Sequence, residues 1–375
     1  MRKLLRIVLL RPIYWAAAKF SSKPNRDRIF KALGKLLHSI LEEPGKKGLV
    51  IPFEQHAGKF IIFSDQHKGR RNGADDFTMA EPNYLAALDH YYRQDFYFIN
   101  LGDSEELWEN QIWQVKKRNK ATFDAEKRFL DHNRYIKVFG NHDLFWDNDP
   151  FAWWHLKDIY GEKVKAYEGV VLKTLVNRPG PGVNTHDSGL RTPDSELSLF
   201  LTHGHQGDAS SDGNWFSKFF VANIWAPLQA FLRINPNTPA YDAEKKTLHN
   251  HIMYEWSAEQ ENTLLVTGHT HQPVFGSLTH LERLYKQFQQ LTKEGNKEQL
   301  PSLLDEIKKR EKEFTAVSVD YMGMKPTYFN TGCCCFSDGD ITGIEIADGC
   351  IRLIKWSAQK GREVLEESLL EKEVS

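Results

Sequence analysis

Five short apolar runs in this chain end in the same kind of chemistry, and that recurrence constrains the fold more than any other feature. Residues 59–65 (KFIIFSD) lead into Asp65-Gln66-His67. Residues 95–101 (DFYFINL) lead into Gly102-Asp103, and residues 135–139 (YIKVF) into Gly140-Asn141-His142-Asp143. Residues 197–202 (LSLFLT) lead into His203-Gly204-His205, and residues 263–267 (TLLVT) into Gly268-His269-Thr270-His271. The third run is rich in β-branched and aromatic residues, and each of the five reads as a buried strand. In open α/β sheets ligands bind outside the carboxyl ends of the strands. The first three strands alternate with helix-like segments at 82–93, 104–119 and 122–133. That is the pattern of a sheet covered by helices, an α/β (α+β) chain.

The rest of the chain arranges itself around these strands. Residues 1–48 form a basic and apolar helical segment, with 29–41 helix-like. Residues 151–160 read as a short aromatic helix, and 164–176 as one or two strands. Residues 178–196 hold four prolines and glycines in a row, followed by Gly189 and Pro193, and read as a loop. Residues 206–262 are an insertion between two strands of one sheet, read as a helical cap. Its first half is aromatic and its second half, 241–262, is an amphipathic charged helix. Residues 278–314 read as a charged helical pair broken near Gly295 and Pro301. Residues 328–332 and 341–356 close the main domain, 49–357, as strands, with Asp348-Gly349 a hairpin signal. The tail, 358–375, is charged and expected to fray.

Charge and cysteine usage narrow the chemistry. Lys and Arg total 49 against 50 Asp and Glu, a net charge of −1, so no global basicity argues for nucleic acid. The clusters Lys68 to Arg71 and Lys116 to Lys120 are too short for a nuclease stripe. The 4 Cys contain no CxxC pair, which argues against a thiolate zinc site. Cys333, Cys334 and Cys335 read as small residues of a packed strand, and the chain as reduced and cytoplasmic. Residues 1–20 are too interrupted by charge to span a bilayer. They read either as a helix packed on the domain or as an interfacial helix giving peripheral membrane contact.

The strand ends together supply Asp65, His67, Asp103, Asn141, His142, His203, His205, His269 and His271. Carboxylates and imidazoles without thiolates suit Mn, Fe, Zn or Co, with Mn the first choice. If the segments stay extended, Asp65 and His67 share one face, as do His269 and His271. Asn141 offers a neutral oxygen, and Asp103 has two oxygens with which to bridge. Two ions about 3.5–4 Å apart would clamp a phosphoester and yield hydroxide at neutral pH. Glu106, His205 and Asp208 stand as outer candidates.

This order of blocks resembles the calcineurin-like metallophosphoesterases over residues 59–356. The resemblance implies a four-layered β-sandwich flanked by helices, with a dinuclear centre. By position it gives one metal Asp65, His67, Asp103 and His271, and the other Asp103, Asn141, His203 and His269. It implies that metal-bound hydroxide attacks phosphorus, that His142 contacts the phosphate or protonates the leaving oxygen, and that Asp143 orients His142.

Gly102 to Trp108 (GDSEELW) is similar to a pattern of UDP-2,3-diacylglucosamine pyrophosphatases, which also carry a helical cap. The cap here is rich in aromatics, including Trp215, Phe216 and Trp225. A lipid-linked or nucleotide pyrophosphate or phosphoester is the implied substrate. The chain departs from that subgroup in having His142 where Arg is common and His205 where Asp is common. Two other readings stand beside it: a soluble phosphatase or phosphodiesterase on nucleotides or phosphoproteins, and a non-catalytic metal-binding scaffold.

Overall fold

The computed structural model describes residues 24–72, 75–175, 196–208, 243–294, 300–310 and 324–370. In chain order the first elements are α1 (Arg26–Glu42), β1 (Gly48–Phe53), β2 (Phe60–Phe63), α2 (Phe77–Arg93), β3 (Tyr97–Leu101), α3 (Ile112–Arg118), α4 (Lys120–Leu130) and β4 (Tyr135–Val138). There follow α5 (Phe145–Asn148), α6 (Ala152–Tyr160), β5 (Ala166–Tyr167), β6 (Gly169–Thr174), β7 (Ser198–Thr202), α7 (Ala243–Ala258) and β8 (Thr263–Thr267). The chain continues through β9 (Val274–Phe275), β10 (Leu278–Thr279), α8 (His280–Lys293), α9 (Leu300–Arg310), β11 (Tyr328–Asn330), β12 (Ile341–Ala347), β13 (Cys350–Ser357) and β14 (Gly361–Leu369).

These strands form two seven-stranded mixed sheets, ordered β14-β13-β12-β2-β3-β4-β5 and β1-β6-β7-β8-β11-β9-β10. Period-two alternation gives each central strand two apolar faces. The inward faces meet in one core, in which Ile62, Ile99, Leu101 and Val138 of the first sheet pack with Val170, Leu172, Leu199, Leu201 and Val266 of the second. The outward residues Ile61, Phe63 and Phe98 pack under α2, α4 and α6 through Tyr84, Leu88, Phe123, Phe129 and Leu156. On the other side Val171, Phe200 and Leu265 lie under α1 and α7, against Ile29, Leu33, Ile252 and Trp256. Helices thus cover both outer faces. Burying each such side chain contributes about 1.5–3 kcal/mol, so a one-residue slip of β2 would disrupt two cores at once.

The five motif strands are divided between two sheets: β2, β3 and β4 run parallel in one, and β7 and β8, the strands flanking the insertion, share the other as expected. Other expectations change. Helix α1 is part of the fold, because Ile29, Leu33, Leu36 and Ile40 give it one continuous buried face and Asn25 caps it by accepting from Arg28 N at 3.0 Å. Residues 104–111 are loop, and the helix expected there starts at Ile112. The charged tail does not fray over Gly361–Leu369: it pairs with β13 as an edge strand, where alternating charge is tolerated because one face is wet. The Cys triplet follows β11 in a loop and not in a strand, though all three side chains are buried. Residues 1–20, the Pro/Gly loop at 178–195 and the aromatic half of the insertion lie outside the described residues. No helix of the described residues is long and apolar enough to cross a membrane.

Candidate metal centre

Because β2, β3 and β4 are parallel, their C-terminal loops share an edge, and the same holds for β7 and β8. Backbone bonds stitch these loops together. Asp65 N donates to Gly102 O at 3.0 Å, His67 N to Asp103 O at 2.9 Å, and Gly268 N to His203 O at 3.0 Å. Gly140 and Gly268 are required by this closeness. A Cβ on Gly140 would collide with Asp103, and one on Gly268 with Ser64 and Asp65.

The pairs Asp65/His67 and His269/His271 are not brought together by strand alternation. All four residues, and Asp103 with them, have left-handed backbone, with φ of 53°, 50°, 70°, 57° and 49° in that order. Non-glycine residues avoid this region, at a cost of order 1–3 kcal/mol each. Eleven non-glycine residues among those described have positive φ, and five of them are these. Strain is concentrated where the donors sit, as at sites where geometry serves function.

The two carboxylates are built alike. Asp65 Oδ2 accepts from Ser64 Oγ and from His269 N at 3.0 Å, while Oδ1 faces His271 Nε2 at 3.2 Å and His67 Nε2 at 3.9 Å. Asp103 Oδ1 accepts from His142 N at 2.7 Å, while Oδ2 faces His203 Nε2 at 3.1 Å and His67 Nε2 at 3.9 Å. One oxygen of each is therefore fixed and the other points into the cluster. His203 Nδ1 donates to Leu101 O at 2.9 Å, which leaves the Nε2 lone pair for the interior. Asn141 Oδ1 is buried and makes no hydrogen bond. An orphaned buried acceptor is costly unless a cation satisfies it. The donor set fits a divalent ion. Three groups, His67/His271/Cys335, His67/Asp103/His142 and Asp103/His203/His269, each bring their ligand atoms within 4.8 Å of one another.

Protonation follows from the same contacts. Burial opposes ionising Asp103, but His203 and His142 outweigh it and hold the carboxyl well below its usual range. Burial pulls His203 down, but Asp103 and Asp65 raise it to about 9, and Asp65 likewise raises His271 to about 10. For His269 and His205 the pull of Asp103 is too weak to compensate. Burial, with neighbouring imidazoles, depresses both, His205 to about 3. His205 packs 5.5 Å from the His203 ring and belongs to none of the three groups. Asp208 Oδ2 lies 4.0 Å from His269 Nε2.

Asp143 does not orient His142. Its carboxylate accepts from Gly140 N at 2.5 Å and Ser104 N at 3.0 Å, so it pins the two loops. Glu106 does the orienting, with Oε2 2.7 Å from His142 Nδ1 and 3.1 Å from His67 Nδ1. Trp108 stacks on the His142 ring, centroids 4.8 Å apart and planes 18° apart. Glu106 and Asp103 together raise His142 to about 10 against the pull of burial, so the imidazole is cationic at neutral pH.

Beneath the donors lies a fully buried charge network that sequence reading missed. Lys137 Nζ binds Glu105 Oε2 at 2.8 Å, and Lys68 Nζ binds Glu126 Oε1 at 2.6 Å and Glu105 Oε1 at 3.2 Å. Trp146 and Ser104 donate to Glu105, and Tyr84 and Tyr160 to Glu126. Two cations and two anions balance, and the network ties the loops after β2 and β3 to β4 and α4. Lys68 is thus internal and not part of a surface basic cluster. Lys interrupting the apolar run YIKVF was the one signal available in the sequence. Cys335 and Lys246 were also missed. Burial lowers the Lys246 ammonium to about 8, with Cys333, Cys335 and Asp65 close enough to act against it.

Neither the known protein-family models nor the curated proteins contain a match to this chain.

Proposed function

We propose that the chain is a divalent-metal-dependent phosphoester hydrolase of the calcineurin-like metallophosphoesterase kind. The observation that carries this reading is the convergence of His67, Asp103, His142, His203 and His269 from five strand ends in two sheets, their ligand atoms grouped within 4.8 Å, with Asn141 Oδ1 buried and without a hydrogen bond. Two helix-covered sheets packed on a common core agree with the layered sandwich implied by the motif order. Asp65, His67, Asp103 and His271 would hold one ion, and Asp103, Asn141, His203 and His269 the other. Bound there, divalent ions would supply Lewis acidity toward a phosphoryl oxygen and lower the pKa of water.

The chain's own residues do the rest. Asp103 fixes the His142 backbone, Glu106 occupies its Nδ1, and Trp108 covers one ring face. Nε2 is left as the nitrogen that gives a proton to the leaving oxygen. The Glu106 carboxylate at Nδ1 favours the protonated ring that can give that proton. The scaffold reading predicts eroded donors, and the donor set is complete.

A lipid-linked or nucleotide pyrophosphate is the substrate class we favour. Trp113 on α3, Phe151 just before α6, and Trp153 and Trp154 on α6 are exposed, and Lys116 of α3 donates to Asp158 of α6. Exposed aromatics of this kind suit a substrate with acyl chains. The test is hydrolysis of bis-p-nitrophenyl phosphate beside UDP-diacylglucosamine by manganese-loaded protein. Faster turnover of the second supports the lipid-linked class. Turnover of the first alone points to a soluble phosphoesterase, and turnover of neither by metal-loaded protein overturns the hydrolase reading.

A further inference from the structure

The loop after β11 brings two sulfurs to His271, Cys333 and Cys335, that the ligand set implied by the motif order does not include, although Cys335 stands in one of the three groups above. Cys335 Sγ lies 3.7 Å from His271 Nδ1. The other nitrogen of that ring, Nε2, is 3.2 Å from Asp65 Oδ1 and 3.1 Å from His67 Nε2. The imidazole therefore spans from the cluster to the thiol. The loop that carries the thiol is fixed. Thr331 N donates to Thr267 O at 2.9 Å, Cys334 N to Asp65 O at 3.2 Å, and Cys333 N to Thr342 Oγ1 at 3.3 Å. Thr331 Oγ1 and Ser64 Oγ are 2.6 Å apart, which ties the same loop to the residue before Asp65. The sulfur is therefore held in register with the loop whose aspartate faces His271.

A ligating histidine is oriented by whatever accepts from its outer nitrogen. With Nδ1–H directed at sulfur, the tautomer is set and the Nε2 lone pair faces the cluster. We propose that Cys335 is the positioning residue of His271, its sulfur accepting the Nδ1–H. A thiol in that place is a weak acceptor, so the centre is built with a soft, replaceable outer partner at one ligand. The proposal rests on the metal-centre reading above.

The test is cobalt(II) titration of the full chain as wild type, Cys335→Ser and Cys335→Val, followed by visible absorption and by competition with a chelator. Serine keeps an acceptor, and valine fills nearly the same space without one. Positioning predicts that the valine variant loses about 10–100-fold in affinity for one cobalt equivalent, while the serine variant stays near wild type. A packing role predicts the reverse order, because a buried hydroxyl is disfavoured where a methyl is tolerated. Equal affinities, or valine binding better than serine, overturn the proposal. So does a sulfur-to-cobalt charge-transfer band in the wild type that both variants lose, because Cys335 would then be a ligand itself. A wild type that takes up no cobalt overturns the metal centre and this proposal together, whereas cobalt uptake with flat variant affinities overturns this proposal alone.

Discussion

Glu106 Oε2 lies 2.7 Å from His142 Nδ1 and 3.1 Å from His67 Nδ1, so one carboxylate oxygen holds both the proposed acid and a proposed ligand. Glu106→Gln keeps the shape and removes the charge. Turnover is expected to fall roughly 10–100-fold, the usual cost of losing such a partner. Glu106 also raises the pKa of His142, so its loss moves the alkaline limb of the kcat profile to lower pH. An unchanged limb would separate His142 from proton donation.

Metal loading should release protons. His203 and His271 are raised to about 9 and about 10 by Asp103 and Asp65, and a ligating imidazole must be neutral. Calorimetric titration of manganese at pH 7 in buffers of differing ionisation enthalpy is expected to count proton release, with affinity rising toward alkaline pH. Chelation should lower Tm, since a ligand at 100 times its Kd adds about 2.7 kcal/mol of stability. Asn141→Ala and His269→Ala should abolish turnover while circular dichroism stays native. Full turnover by either variant would contradict the two-ion assignment.

Lys137→Met removes a cation from the buried network and leaves Glu105 short of its closest countercharge. Breaking one partner of a buried pair costs about 3–5 kcal/mol, which a urea melt reads directly. Combining it with Glu105→Gln should recover part of the loss, because the uncompensated charge is then gone. Additive destabilisation would show that the two residues do not act as a pair.

Stability of the metal-free protein should decline on acidification below the unfolded histidine value of about 6.5. Burial raises Asp143 to about 6 in the fold, above an unfolded value of about 3.9, so protonating it on acidification adds stability over that range. Glu105 and Glu106 are held at about 2 by Lys137 and His142 against the effect of burial. Their contribution is fully present above an unfolded value of about 4.3 and is lost as pH falls toward 2. His205, held at about 3, and His269, depressed by burial, take up protons only on unfolding below an unfolded value of about 6.5, and together they outweigh Asp143. Urea midpoints of the metal-free protein are expected to fall between pH 6 and 4.5 and more steeply below, and a rise over that range would contradict the buried neutral imidazoles.

The sequence by itself determined the elements and the donors. Short apolar runs such as FIIF and YFINL read as buried strands, and Asp, His and Asn after five of them mark the ends where a sheet would bind ligands. That information is local, so it is legible in one chain. Only the tertiary structure decided how those ends meet. Whether β4 and β7 lie in one sheet or two depends on pairings between distant residues. Left-handed backbone at Asp65 and His67 overrides strand alternation because the surrounding contacts hold it. The partner of His142 was misread for the same reason: Asp143 is its neighbour in sequence, but the Gly140 turn directs that carboxylate to backbone amides, and Glu106 arrives from the loop after β3. Lys68 looked like surface charge until Glu105 and Glu126 closed around it, and Cys335 looked like packing until its loop placed the sulfur against His271. Each of these depends on a contact between residues far apart in the chain, which composition and spacing do not encode.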